Sequence, residues 1–147
     1  LIAKISYRHT EETDWLNWIS DNLLATYDRK QRRTTASIQW FEGTEHELRV
    51  KAQMLAFTAR NPKPYLGDLN GNLNPYQTSL PPITVSQLAF QVRYRYEIQP
   101  LAYLYVVYTK GGRVAMYDEE DSLNELYKRP WNDPQSDNFT IKLRYRF

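Results

Sequence analysis

Cations recur at alternate positions in three stretches of this chain: Arg49 and Lys51, Arg93 and Arg95, and Lys142, Arg144 and Arg146. On an extended strand alternate side chains share a face. Each stretch would therefore present a row of positive charge able to draw anionic solutes or hold an acidic plug. Glu47 and Glu97 share those faces and can pair with the cations, which is the ordinary condition of a polar sheet face. Other groups invite metal or sugar chemistry. The acidic run Asp118, Glu119, Glu120, Asp121 and the segment "DLNGN" (68–72) offer oxygen ligands of the kind calcium or magnesium takes. Neither has the spacing of an EF-hand loop, so the first reads as a solvated loop and the second as a turn. Tyr65, Tyr76, Tyr117, Tyr127 and Trp131 could stack on sugars or simply pack loops together. Catalysis has little footing: His9 and His46 are far apart, there is no cysteine, and no G-x-S-x-G occurs. No enzyme, metal or cofactor is expected from these residues.

The elements that must position the cations are strands. The stretch "FTIKLRYRF" (139–147) sets Phe139, Ile141, Leu143, Tyr145 and Phe147 on one side and Thr140, Lys142, Arg144 and Arg146 on the other. The same alternation predicts strands over about 1–8, 33–41, 47–59, 88–98, 102–110 and 138–147. In "LAFQVRYRYEI" (88–98), Leu88, Phe90, Val92, Tyr94, Tyr96 and Ile98 oppose Gln91, Arg93, Arg95 and Glu97. Residues near Gln99 and Pro100 make a tight hairpin with the next strand, which Gly111 and Gly112 are expected to stop. Segments 60–87 and 113–137 read as long loops, the second with one or two helical turns near 123–128. Segment 9–32 is a third excursion, in which "DWLNWISDNLLATY" fits either an amphipathic helix or the upper part of two strands.

The predicted connections run long, short, long, short, long. In an antiparallel meander all the long ones then fall at one end, the asymmetry of outer-membrane barrels with short periplasmic turns and long extracellular loops. Composition is compatible: 147 residues, 41% hydrophobic, 24% charged and 14% aromatic, with twelve tyrosines. Mean hydropathy of −0.70 is neutral on this point. No run of apolar residues is long enough for a membrane helix, which does not bear on β-strand spans. A net charge of +2 does not call for nucleic acid. In "VRYRYEI" the aromatics and cations take opposite faces, whereas an RNA-binding sheet puts them on one. Absence of cysteine means no disulfide framework.

"FTIKLRYRF" resembles the C-terminal signature of bacterial outer-membrane β-barrels, in which a final Phe follows apolar residues at every second position. "NLLATYDRKQ", "EHELRVKAQ" and "VRYRYEIQPLAYLYVVYTKGG" extend the likeness. Together they resemble the barrel of an uncharacterised family of Gram-negative outer-membrane proteins that carries an N-terminal β-sandwich similar to family 9 carbohydrate-binding modules. The resemblance implies an all-β antiparallel meander of about six strands, the C-terminal section of one transmembrane outer-membrane β-barrel domain. Phe139, Ile141, Leu143, Tyr145 and Phe147 would be the assembly signal. The partners implied are the rest of its own barrel, the barrel-assembly machinery, outer-membrane lipid and lipopolysaccharide, and a small solute or glycan. Arg49, Lys51, Arg93, Arg95, Lys142, Arg144 and Arg146 would face the lumen. Six strands are fewer than a closed barrel needs, so a fragment of a longer chain is expected. The alternative is a soluble, secreted β-sandwich that binds glycans through exposed aromatics.

Overall fold

The computed structural model describes residues 1–117 and 122–146. The chain is all-β apart from one helix: β1 (Ile2–Ser20), β2 (Leu23–Glu42), β3 (His46–Gly67), β4 (Leu73–Pro75), β5 (Ile83–Gln99), β6 (Ala102–Tyr117), α1 (Leu123–Asn132) and β7 (Ser136–Arg144). These strands form one open antiparallel sheet in the order β1-β2-β3-β5-β6-β7, with β4 paired to the far end of β3. All described strands belong to this single layer, so no second sheet packs across it as a sandwich would require. β1 and β7 are its edges.

The expected strands are present, and all but the last are longer. β1, β2 and β3 run for 19, 20 and 22 residues, well beyond the usual length in globular proteins. Segment 9–32 is the upper part of two strands, turning at Asp21 and Asn22. β3 continues past residue 59 to Gly67 and β5 begins at Ile83, which shrinks the expected loop 60–87 to 68–82. β6 passes through Gly111 and Gly112 to Tyr117 and does not stop there, because both glycines are held in ladders with β5 and Gly111 also pairs with Ser136. β7 ends at Arg144, where its partner β6 begins, so Tyr145 and Arg146 lie beyond the paired strand. The short turns, 43–45 and 100–101, lie at one end with Gly43 and Leu101 at positive φ. Both longer connections lie at the other end, with the tight 21–22 turn.

Two bulges lie side by side near that end. Register slips between Glu12 and Trp15 in β1 and opposite Thr26 and Asp28 in β2, where β3 carries an extra residue. Asp14 and Asn61 take the positive φ these insertions need. Each bulge moves the following side chains to the opposite face, so Trp15 lands beside Tyr27 and Phe57.

The sheet has little conventional core. Its fully buried apolar side chains are mostly small, Ala25, Ala56, Ala59 and Ala102, joined by Tyr27, Leu88 and Leu126. The helix is longer than one or two turns: Ser122 and Glu125 cap it reciprocally, and Leu126 and Pro130 are buried. It lies over the face carrying Thr34, Met54, Ser86 and Phe90. Tyr127 bonds to Thr34, Ser86 donates to the Leu126 carbonyl, and Trp131 meets Phe90 with ring centroids 5.3 Å apart.

Gly111 makes the tightest approach of the glycines. A Cβ there would collide with the Leu88 carbonyl and come within 3.3 Å of the Ala89 Cα, both backbone atoms that cannot yield cheaply. We expect Gly111→Ala to lose roughly 1–3 kcal/mol by overpacking, read as a lower urea midpoint for the folded form. An unchanged midpoint would show that the backbone relaxes around the methyl.

Candidate functional site

Residues directly opposite one another in an antiparallel ladder share a face, so the registers sort the sheet into two surfaces. One is apolar: across it run Ala3, Ile38, Val50, Val92, Tyr108 and Phe139, and beside them Trp40, Leu48, Tyr94, Val106 and Ile141. The other is polar. Its central rows are Ser6-Thr35-Gln53-Ala89-Gly111-Ser136 and Lys4-Ser37-Lys51-Gln91-Thr109-Asn138.

A trough of about 1120 Å³ is lined from Ala3–Ser6 of β1 across to Ser136 of β7. A hollow touching every long strand lies on the concave side. The polar rows supply most of its lining, the apolar rows supply Ala3, Ile5, Ala36, Ala52, Leu88, Phe90, Lys110 and Gly112, which alternate with them along the strands, and no residue of α1 joins it. Short side chains make its floor: Ser6, Thr35, Ser37, Ala89, Thr109 and Gly111 leave the room that larger ones would fill. We read the hollow as the concave side of a curled sheet, with polar residues inside and apolar residues outside. Ile5 is 80% exposed and Phe139, Ile141 and Leu143 more than 60%.

Of the sequence-predicted cations, Arg49, Lys51, Arg93, Arg95, Lys142 and Arg144 all fall on the concave face. Arg146 lies past the end of β7. Phe139, Ile141 and Leu143 take the convex face opposite Tyr108, Val106 and Leu104, Tyr145 follows the strand, and Phe147 lies outside the described residues. Below the trough Arg49 stands directly opposite Arg93. Glu47, only 5% exposed, bonds to Arg49 and lies 3.3 Å from Arg95 Nε, with the Gln39 amide 3.4 Å away. Arg95 also covers the Tyr103 ring at 5.4 Å. Glu47 therefore answers two cations, and Arg93 is left facing Arg49.

Above the trough Arg8 stands opposite Arg33. Beyond that pair comes a cluster that periodicity did not reveal: Arg29 lies 5.2 Å from the Trp15 ring and 5.8 Å from Phe57, and bonds to Glu12 at 3.1 Å. With Tyr27, Ala25, Ala59, Ile19, Leu80 and Ile83 these side chains close that end of the concave face. The bulges hid the cluster by breaking the period-2 pattern.

The remaining candidates resolve simply. Asp68 folds its own loop, accepting from the Asn70 and Asn72 backbone N–H groups and the Asn72 amide at 2.8–2.9 Å; it is the expected turn. Among the described residues no group of three or more His, Asp or Glu is placed to hold a metal ion, and the run 118–121 lies outside them. Tyr127 and Trp131 pack on the sheet, Tyr65 belongs to β3, Tyr117 ends β6, and Tyr76 is exposed. His9 pairs with Glu11, while His46 stacks on Tyr96 at 4.7 Å and bonds to the Tyr94 hydroxyl at 2.6 Å. Comparison with protein-family models, with curated proteins and with solved structures gives no match.

Two outcomes follow from this electrostatic arrangement. Glu47→Gln removes the carboxylate between arginines and should cost about 1–3 kcal/mol, between the values for exposed and fully buried pairs; thermal stability of the folded form measures it, and no change would make the cluster incidental. The Asn72 amide, then the backbone N–H groups of Asn72 and Asn70, hold the Asp68 carboxyl below its ordinary value. The ionised form is favoured by the folded loop, so order in 68–72 is complete above the usual carboxylate range and fades as pH falls through the lowered value. Hydrogen exchange of those amides should rise in acid beyond its intrinsic rate, and Asp68→Ala should raise it already at neutral pH; equal protection in all three cases would contradict this.

Proposed function

We propose that this chain is the C-terminal section of an integral outer-membrane β-barrel of a Gram-negative bacterium, acting as a pore or as a platform for surface display. The observation that carries the reading is the direction of curl. A soluble β-barrel turns its apolar side chains inward and its polar ones to water; a membrane barrel does the reverse. Here the apolar face is convex and the basic face concave.

The height of the apolar face supports the same reading. On β5 it runs from Leu88 to Tyr96, which at about 3.3 Å per residue is roughly 30 Å along the strand. At a tilt of about 40° that is about 23 Å, close to the apolar band of such barrels. Above it the convex face turns polar, with Arg32, Lys30 and Glu11 of β2 and β1, as it would on leaving hydrocarbon. Tyr94, Tyr96 and Trp40 at the lower margin are suited to an interface. In this reading the short turns are periplasmic, α1 and the 68–82 connection are extracellular, and Phe139, Ile141, Leu143, Tyr145 and Phe147 address the assembly machinery. β1 and β7 need further strands to close the barrel, since lipid cannot satisfy their open edges. Chemistry on a substrate is not part of this proposal.

The decisive experiment is a gel of the full-length protein from carbonate-washed outer membranes, run with and without boiling. A folded band that shifts on boiling is expected; an unshifted protein in the soluble fraction would overturn the proposal and favour the glycan-binding β-sandwich. Within the folded protein, Val92→Arg should cost roughly 2–4 kcal/mol near the bilayer midplane, whereas Arg144→Gln on the concave side should be nearly silent. The reverse ranking of folded fractions would place the wrong face in lipid.

A further inference from the structure

Resting on the barrel reading, we infer that the trough is an anion-selective corridor and that its preferred solutes are hydroxylated anions, of the class of phosphorylated or acidic sugars. Three observations on the concave face combine to this end.

The first is a charge imbalance that the whole chain conceals. Its net charge is +2, yet along the concave rows Glu12, Glu47 and Glu97 face many more cations. Glu12 is taken by Arg29, and Glu47 by Arg49 and Arg95. Among the described residues, none of the salt bridges involves Lys4, Lys51, Arg93 or Arg33. On the convex face the opposite holds, with Lys30 beside Glu11, Lys110 beside Asp137 and Lys63 beside Asp14.

The second is the placement of like charges. Arg8 is directly opposite Arg33 on one side of the trough, and Arg49 directly opposite Arg93 on the other. Cross-strand like charges repel at this separation. The pairs stand six residues apart along the strands, roughly 20 Å, so an anion moving along the trough relieves each in turn.

The third is the floor. Between the arginine pairs it carries the hydroxyls of Ser6, Thr35, Ser37 and Thr109 and the amides of Gln53 and Gln91. These donate and accept, which suits a solute bearing hydroxyls as well as charge. Lys4 and Lys51 lie within the same lining. The hollow's volume, about 1120 Å³, admits a sugar phosphate with its water.

The test is planar-bilayer recording on the full-length protein, taken from the heat-shifted fraction, under a potassium chloride gradient. The expected result is a reversal potential of the sign for chloride selectivity and a current that glucose 6-phosphate reduces in a concentration-dependent way, while glucose does not. Lys51→Gln combined with Arg93→Gln, in protein that still shows the heat shift, should move the reversal potential toward zero and weaken the block severalfold. A cation-selective current, no current, or equal effects of the two sugars would overturn the corridor and leave the barrel standing. A preparation with no heat-shifted form would overturn both. Channels in which the double variant keeps the wild-type selectivity and block would also overturn it, since the charge would then come from elsewhere.

Discussion

The apolar side chains on the convex face depend on something outside this sheet to remove them from water. Burial of apolar area is the dominant favourable term in most folds, but here that area points outward and the interior is lined with arginine, lysine, serine and glutamine. What the sheet supplies for itself is the backbone ladder, continuous over strands of up to 22 residues. A ladder specifies geometry well and stabilises modestly, because each hydrogen bond replaces one made with water. In hydrocarbon that balance changes. Unpaired backbone groups become very costly there and apolar side chains lose nothing by exposure, which is the balance that the proposed barrel reading relies on.

From that constraint the remaining architecture follows. A curled sheet must keep concave side chains short where strands crowd, and the small residues of the trough do this, with Gly111 the most crowded of the glycines. Where the sheet leaves the apolar band it must find other partners. The bulges at Asp14 and Asn61 occur just there. They redirect Trp15 inward against Tyr27 and Phe57, giving the upper rim the small packed cluster that the middle of the sheet lacks. α1 does the corresponding work on the outside, covering Met54 and Phe90 with Trp131 at the upper end of the apolar face.

Alternation made the lower sheet legible in the sequence. From Ile2 to Tyr7, Thr35 to Trp40, Leu48 to Met54 and Leu88 to Tyr96 no bulge intervenes, so side-chain type reports face directly and alternation alone puts the cations of these stretches on one surface. Above residue 9 the same logic failed for a physical reason: two one-residue insertions invert the pattern in β1 and β3, and "DWLNWISDNLL" then matches neither a period of 2 nor one of 3.6. Gly111 and Gly112 misled in another way. They read as a breaker, but in a bent sheet glycine is what lets a strand continue. The helix has a local signal that the sequence reading passed over, since Ser122 and Glu125 stand at capping-box spacing. Its length came from packing Leu126 and Pro130 on the sheet, which no local pattern encodes.

The arginine ladders raise a last point about how such a surface is tolerated. Like charges facing one another across strands destabilise the sheet that carries them, and here two such pairs stand on one concave face with few carboxylates to answer them. In a water-filled hollow at physiological ionic strength screening over about 8 Å lowers that cost without abolishing it. Had the rows served structure alone, serine or glutamine, already abundant in the trough, would fill them with no repulsion. Arg33, Arg93 and Lys51 keep a standing positive potential in and beside the hollow. The sheet accepts that repulsion in its empty state, and on the proposed reading an anion beside either pair lowers it.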